Sequence, residues 1–146
     1  MRKKHTARRA KRKLDPGLLR AHKAYEWAIN SNDTNTVMAM YDKGAKILQP
    51  YGPIVSGRKN IRKWVRDYFK AFKTRWKKVP LENFVLGEYG FDEGIDTAVD
   101  VPRTGPKPRK PIYWNTKGIL IFKRQKNGKW LIFRDIWNNN KPPVGN

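Results

Sequence analysis

The hydrophobic pattern along the chain has one main change of period, with a short strand-like interruption at 45–55 in its helical part. Up to about residue 72 apolar residues recur at helical spacing, and beyond about residue 79 they alternate or cluster in short runs. The helical part opens at Asp15-Pro16, where the carboxylate can cap free amides and proline fits the first helical position because its missing N–H costs nothing there. Leu18, His22, Tyr25 and Ile29 then share one face of a helix ending near Asn30-Ser31-Asn32. Asp33 opens a second, shorter helix expected to reach about Tyr41, with Val37, Met40 and Tyr41 inward and Lys43-Gly44 as its stop. A short strand from Ala45 to Gln49 meets the Pro50-Tyr51-Gly52-Pro53 turn, and Ile54-Val55 pairs back before Ser56-Gly57.

A third helix, from about Arg58 to Phe72, carries two opposed stripes. Ile61, Trp64, Val65, Tyr68 and Phe72 form an apolar face, while Lys59, Arg62, Lys63, Arg66, Lys70 and Lys73 repeat on the other side. Four strand-like runs follow at about 79–88, 94–101, 111–124 and 129–138. Between the second and third, Pro102, Pro106, Pro108 and Pro111 forbid regular pairing and leave an exposed loop bearing Arg103, Lys107, Arg109 and Lys110. Asn127-Gly128 between the last two runs predicts a tight hairpin. Helices first and antiparallel strands after them make an α+β domain, about three N-terminal helices packed on a curved, mostly antiparallel sheet. The domain is expected over residues 14–143, between a basic tail at 1–13 and a short C-terminal tail at 144–146.

Charge changes this picture more than size does. The 146 residues carry 33 Lys+Arg against 12 Asp+Glu, a net charge of +21, and 38% hydrophobic with 12% aromatic residues still suffice for one core. Residues 1–13 hold eight of the basic residues and no acid, so they are expected to be disordered until they meet an anion. The remaining chain keeps a net +13, so the folded body is basic in its own right. With no cysteine, a disulfide framework, a thiolate nucleophile and a sulfur-ligated metal are impossible. Two histidines, one of them in the tail, exclude a histidine-rich metal centre, and no spaced carboxylate motif supports another; no metal and no cofactor are expected. No apolar run approaches the ~18 residues of a membrane span and the N-terminus lacks a signal-peptide core, so the expected location is intracellular and cytoplasmic.

Several segments, in order, resemble the nuclear-transport-factor-2-like cone proteins, in particular the SnoaL-like and ketosteroid-isomerase-like branches. They are Tyr25-Glu26-Trp27-Ala28-Ile29-Asn30-Ser31-Asn32-Asp33, Met40-Tyr41 with Ala45 after it, Pro50-Tyr51-Gly52-Pro53, Val55-Ser56-Gly57-Arg58, and Trp130-Leu131-Ile132-Phe133-Arg134-Asp135-Ile136-Trp137-Asn138. The resemblance covers roughly residues 14–143. It implies a cone enclosing a mostly apolar pocket for a small hydrophobic molecule, and a homodimer formed through the outer sheet face. It also implies, for the steroid isomerases, a tyrosine on the first helix, an aspartate base on the first strand and a protonated aspartic acid. Tyr25 matches the tyrosine, but the base position reads as Gln49 and the second acid as Leu120. An amide cannot accept the proton and leucine cannot donate one, so that isomerase route is rejected.

Asp135 is the stronger candidate. Alternation along the last strand puts Leu131, Phe133, Asp135 and Trp137 on one face, and a carboxylate among aromatics has a raised pKa suited to proton transfer. His22, one turn before Tyr25, is expected to reach the same space, making Asp135, Tyr25 and His22 the candidate catalytic set. Gln49, Trp64, Trp114, Leu120, Phe122, Phe133 and Trp137 are the expected pocket lining. The competing reading leaves Tyr25 and His22 as satisfied core residues and binds Asp135 to backbone amides, Gln49 or Trp114.

The tail, the helical cationic stripe and the proline-rich loop point to a polyanion such as nucleic acid, held by sequence-independent, salt-dependent attraction. No base-reading motif is present. Tyr113 and Trp114 could stack bases, but aromatic strand residues usually belong to a core. Lipid headgroups are the other anion considered, without an acyl signal or amphipathic anchor to hold them. The sequence therefore favours a non-enzymatic ligand-binding cone protein associated with a polyanion. Its alternative is an acid/base isomerase, cyclase or dehydratase working through Asp135 and Tyr25.

Overall fold

The computed structural model describes residues 13–145; the tail expected over 1–13 lies, apart from Lys13, outside the described residues. Helix α1 (Pro16–Asn30) starts as the sequence dictates, with the Asp15 carboxylate accepting from the Leu18 amide at 3.0 Å and proline in the first turn. Asp33 caps α2 in the same way, accepting from the amide and hydroxyl of Thr36 at 2.9 and 2.6 Å. That helix, however, is only Thr34–Met38, and strand β1 (Tyr41–Leu48) begins at the residue expected to end it. Long-range pairing decides this. Tyr41 lies in register with Ile132, and the Ile132 amide donates to the Met40 carbonyl at 2.8 Å.

After the short strand β2 (Val55–Ser56), Gly57 turns the chain at φ 86°, a backbone region that glycine enters without cost. Helix α3 (Arg58–Ala71) follows, and the Arg58 guanidinium donates to the carbonyls of Met38 and Tyr41 at 3.2 and 2.6 Å, tying its start to the α2–β1 turn. Phe72 already belongs to β3 (Phe72–Leu86), seven residues before the expected strand, because it pairs with Pro102 of β4 (Tyr89–Pro102). Strands β5 (Ile112–Arg124) and β6 (Trp130–Asn139) complete the meander across the predicted Asn127-Gly128 hairpin. Residues 144–145, expected as a tail, form β7 (Val144–Gly145) against Ile112 and Tyr113.

The sheet runs β2-β1-β6-β5-β4-β3, antiparallel throughout except for the parallel β1·β6 pair. The helices pack on its concave side. Leu18 is fully buried there, a contribution of about 2–3 kcal/mol, and a Cβ on Gly90 of β4 would stand 2.3 Å from its Cδ2. The bare glycine is what lets α1 lie so close to the sheet.

One register slip corrects the expected strand faces. Ile121 pairs with Arg134 but Phe122 pairs with Ile132, so Phe133 is the extra residue of a β-bulge. Ile132 therefore joins Leu120 and Phe122 in the core, while the Phe133 ring lies among Tyr89, Lys123 and Arg134 on the other side of the sheet. Phe133 does not line the pocket. Beyond the bulge the alternation resumes, and Asp135 and Trp137 face inward as the sequence implies.

Candidate active site

Between the helices and the sheet lies a cavity of about 340 Å³. Tyr25 and Ile29 reach it from α1, Trp64, Tyr68 and Phe69 from α3, and Gln49, Pro50 and Tyr51 from the loop after β1. The sheet contributes Trp76, Asp96, Trp114, Thr116, Asp135 and Trp137. Four of the expected lining residues, Gln49, Trp64, Trp114 and Trp137, are thus brought together. Leu120 and Phe122 are packed in the core beneath the cavity and do not line it.

Asp135 and Tyr25 meet as expected, with a partner that sequence reasoning missed. The hydroxyls of Tyr25 and Tyr41 donate to the same oxygen, Asp135 Oδ2, at 2.9 and 3.2 Å, and lie 2.8 Å from each other. Neither Gln49 nor Trp114 is the partner of this carboxylate. Gln49 Oε1 accepts from Trp64 Nε1 at 3.2 Å, and Trp114 Nε1 donates to Asp100 Oδ2 at 2.7 Å. Burial pushes the Asp135 pKa above its ordinary value, against the opposing pull of the Tyr25 bond, the Lys78 charge and the Tyr41 bond. Burial and then the Asp135 charge hold both phenols protonated well beyond their usual range.

His22 does not reach the cavity. Its Nδ1 lies 2.8 Å from Asp92 Oδ2, its Nε2 is 3.8 Å from Glu26, and its ring stacks on Trp76, which stands between it and Tyr25. It is a buried structural histidine, which corrects the candidate catalytic set to Asp135 and Tyr25, with Tyr41 added.

A second carboxylate was also missed. The inward positions of β4 read Gly90, Asp92, Gly94, Asp96, Ala98, Asp100, and all three acids are buried. Acids alternating with the smallest residues in a strand were a usable signal, since Gly and Ala make room where a carboxylate needs a partner from the facing layer. Gly94 admits the Lys78 side chain, whose Nζ donates to the Asp92 carbonyl at 3.1 Å and lies 3.7 Å from its Oδ2. Asp100 accepts from Tyr68 and Trp114 and so orients two cavity walls. Asp96 lines the cavity itself and accepts from Thr116 at 3.4 Å, and its Oδ1 has no partner among the described residues. Burial pushes its pKa up to about 6, reinforced by the Asp135 charge and opposed by Lys78 and His22.

No group of three His, Cys, Asp or Glu suited to a metal ion occurs among the described residues. The expected anion-binding residues Lys59, Arg62, Lys63, Arg66, Lys70, Lys73, Arg103, Lys107, Arg109 and Lys110 are all exposed. Asp67 interrupts the α3 stripe, pairing with Lys63 at 2.5 Å and Arg66 at 3.6 Å. The β4–β5 loop is fastened to the end of α3: Arg103 donates from its amide to Ala71 and from Nε to Phe69, at 2.9 and 2.8 Å. Among the described residues no helix is long and apolar enough to cross a membrane.

No family model matches the chain, and no curated protein sequence matches it. Solved structures do. A ketosteroid isomerase-like protein from Erwinia carotovora atroseptica superposes with a TM-score of 0.73 at 15% identity, over 86% of this chain and 95% of that one. A hexachlorocyclohexane dehydrochlorinase gives 0.74 at 9%, over 89% and 86%. A nuclear transport factor 2-like superfamily protein from Salmonella enterica gives 0.74 at 15%, over 85% and 89%. At these identities the likeness is one of fold, and the fold of this chain is the nuclear-transport-factor-2-like cone, α+β, with three helices on a curved, mostly antiparallel sheet.

Proposed function

We propose that the chain is an enzyme that moves protons on a small, largely apolar molecule held in the cone, by isomerisation, cyclisation or dehydration. One observation carries this reading. Asp135 stands in the cavity wall with both tyrosine hydroxyls on Oδ2, and Oδ1 accepts no hydrogen bond from the described residues. A carboxyl group fixed at one oxygen and open at the other is oriented for proton transfer. Its raised pKa brings it toward the working pH, where a group both takes and returns a proton efficiently. Tyr25 and Tyr41 stay protonated and stabilise the ionised carboxylate without competing as bases. Asp96, whose pKa is pushed up to about 6, supplies a second carboxyl group in the same wall, so that one acid and one base coexist. The dehydrochlorinase among the similar folds supports elimination chemistry as within reach of this cone.

The test uses small enolisable ketones in deuterated water, with exchange of the α-protons followed by NMR. The protein should accelerate exchange for at least one of them, and Asp135→Asn should lower that rate by about 10²–10⁴-fold while leaving the melting transition cooperative. Exchange no faster than in buffer across the panel, or full activity in the Asn variant, would overturn the reading.

The exterior supports a second role, association with nucleic acid. Because α3 runs directly into β3 and Arg103 binds the loop to the end of α3, the cationic stripe of α3 and the proline-rich loop adjoin at one corner, where Lys70, Lys73, Arg75 and Arg103 are all exposed. Affinity for arbitrary strands should fall steeply with salt, and removing residues 1–13 should flatten that slope. Affinity indifferent to salt would refute it. The outer sheet face, with Val79, Ile95 and Ile119 exposed, is the surface on which a second copy would dock.

A further inference from the structure

The cavity wall inverts the charge of the protein that surrounds it. On a chain of net charge +21, the residues lining the cavity include no Lys, Arg or His, but they include two carboxylates, Asp96 and Asp135. The nearest buried cation, Lys78, is committed to Asp92 and does not line the space. The rest of the wall is dominated by aromatic rings, among them Trp64, Trp76, Trp114 and Trp137. The indole N–H groups of Trp64 and Trp114 are taken by Gln49 and Asp100, so these rings offer a ligand their π systems rather than a donor. Such a wall offers an anion no positive charge and sets two carboxylates against it, whereas π systems and carboxylates both attract positive charge.

We infer that the substrate or ligand is a small organic cation, a protonated amine or quaternary ammonium group held against the tryptophans with its charge toward Asp96 and Asp135. This deepens the acid–base reading and rests on it, because it names the substrate class of the same cavity. Asp96 is the principal counter-charge. It is only 6% exposed and its Oδ1 lacks a partner among the described residues, a deficit that a cation fills. The groups facing it are Lys78 of β3, His22 of α1, Thr116 of β5 and Asp135 of β6. Without a ligand its pKa stands at about 6, and a bound cation favours the ionised form. Binding should therefore release protons near and below pH 6, and affinity should rise with pH up to that value and level off above it.

Phenyltrimethylammonium and its uncharged carbon isostere tert-butylbenzene form the test, titrated against the full chain by tryptophan fluorescence and calorimetry. The cation should bind about tenfold tighter or more. Asp96→Asn should remove most of that preference and its pH dependence, and Trp137→Leu should weaken the cation while sparing the isostere. Melting curves for both variants verify that they fold, and if one does not, the other carries the comparison. Equal or tighter binding of tert-butylbenzene by the wild type overturns the cation proposal and leaves an acid–base enzyme with an apolar substrate. Binding of neither probe overturns the proposal along with the cavity on which both readings depend.

Discussion

Replacing Asp96 by asparagine should make the protein more stable at neutral pH. The folded-state pKa of about 6 lies above the ordinary value of 3.8 that applies to the unfolded chain. A group with that sign contributes stability that is fully present below about pH 4 and lost as pH rises through 6. At 1.36 kcal/mol per unit, the loss comes to about 3 kcal/mol, already net of the attraction of Lys78 and His22 and the repulsion of Asp135. Asparagine keeps the shape and can still accept from Thr116, and it has no proton to lose in this range. The difference in unfolding free energy between variant and wild type should start near zero at pH 4, grow through pH 6 to about 3 kcal/mol in favour of the variant, and stay flat above pH 7. Urea unfolding at a series of pH values measures this directly, and the difference curve cancels the other titrating groups except those coupled to Asp96. A variant that is equally destabilised at pH 4 and pH 7.5 would refute the reasoning, because Asp96 would then be a satisfied structural acid.

Further consequences follow from individual contacts. Tyr25→Phe removes the shorter of the two bonds to Asp135, so the basic form should appear about one pH unit higher in the activity profile, with Tyr41→Phe shifting it less; an unmoved profile would detach the phenols from the carboxylate. Gly90→Ala should cost about 1–3 kcal/mol in urea unfolding, and combining it with Leu18→Ala should cost less than the sum, since the new methyl collides with Leu18. Ile119→Lys, on the outer sheet face, should shift the sedimentation coefficient from dimer to monomer; a monomeric wild type would contradict that surface assignment.

Helices α1 and α3 and the last hairpin were legible because local chemistry decides them: a capping aspartate with proline, a sustained apolar stripe, an Asn-Gly turn. Tyr41 was not, since its local pattern suits a helix and only pairing with Ile132, far along the chain, places it in a strand. The first half of β3 was hidden because two of its inward positions, Thr74 and Lys78, are polar, so alternation there is not between apolar and polar residues. Phe133 illustrates a different limit: a bulge is one residue of slip, and strict alternation counts through it to the wrong face. Asp135 and Tyr25 were found because each lies on a regular stretch. Tyr41 and Asp96 were missed because their roles arise from what the fold sets opposite them.

Isotope-edited NMR of the aspartate carboxyl carbons, with Asp135→Asn to assign the resonance, observes the proton that the proposed chemistry requires. The account predicts that Asp135 titrates above the ordinary 3.8 and moves higher still in Tyr25→Phe. A carboxyl that titrates at or below 3.8 and ignores Tyr25 would contradict it.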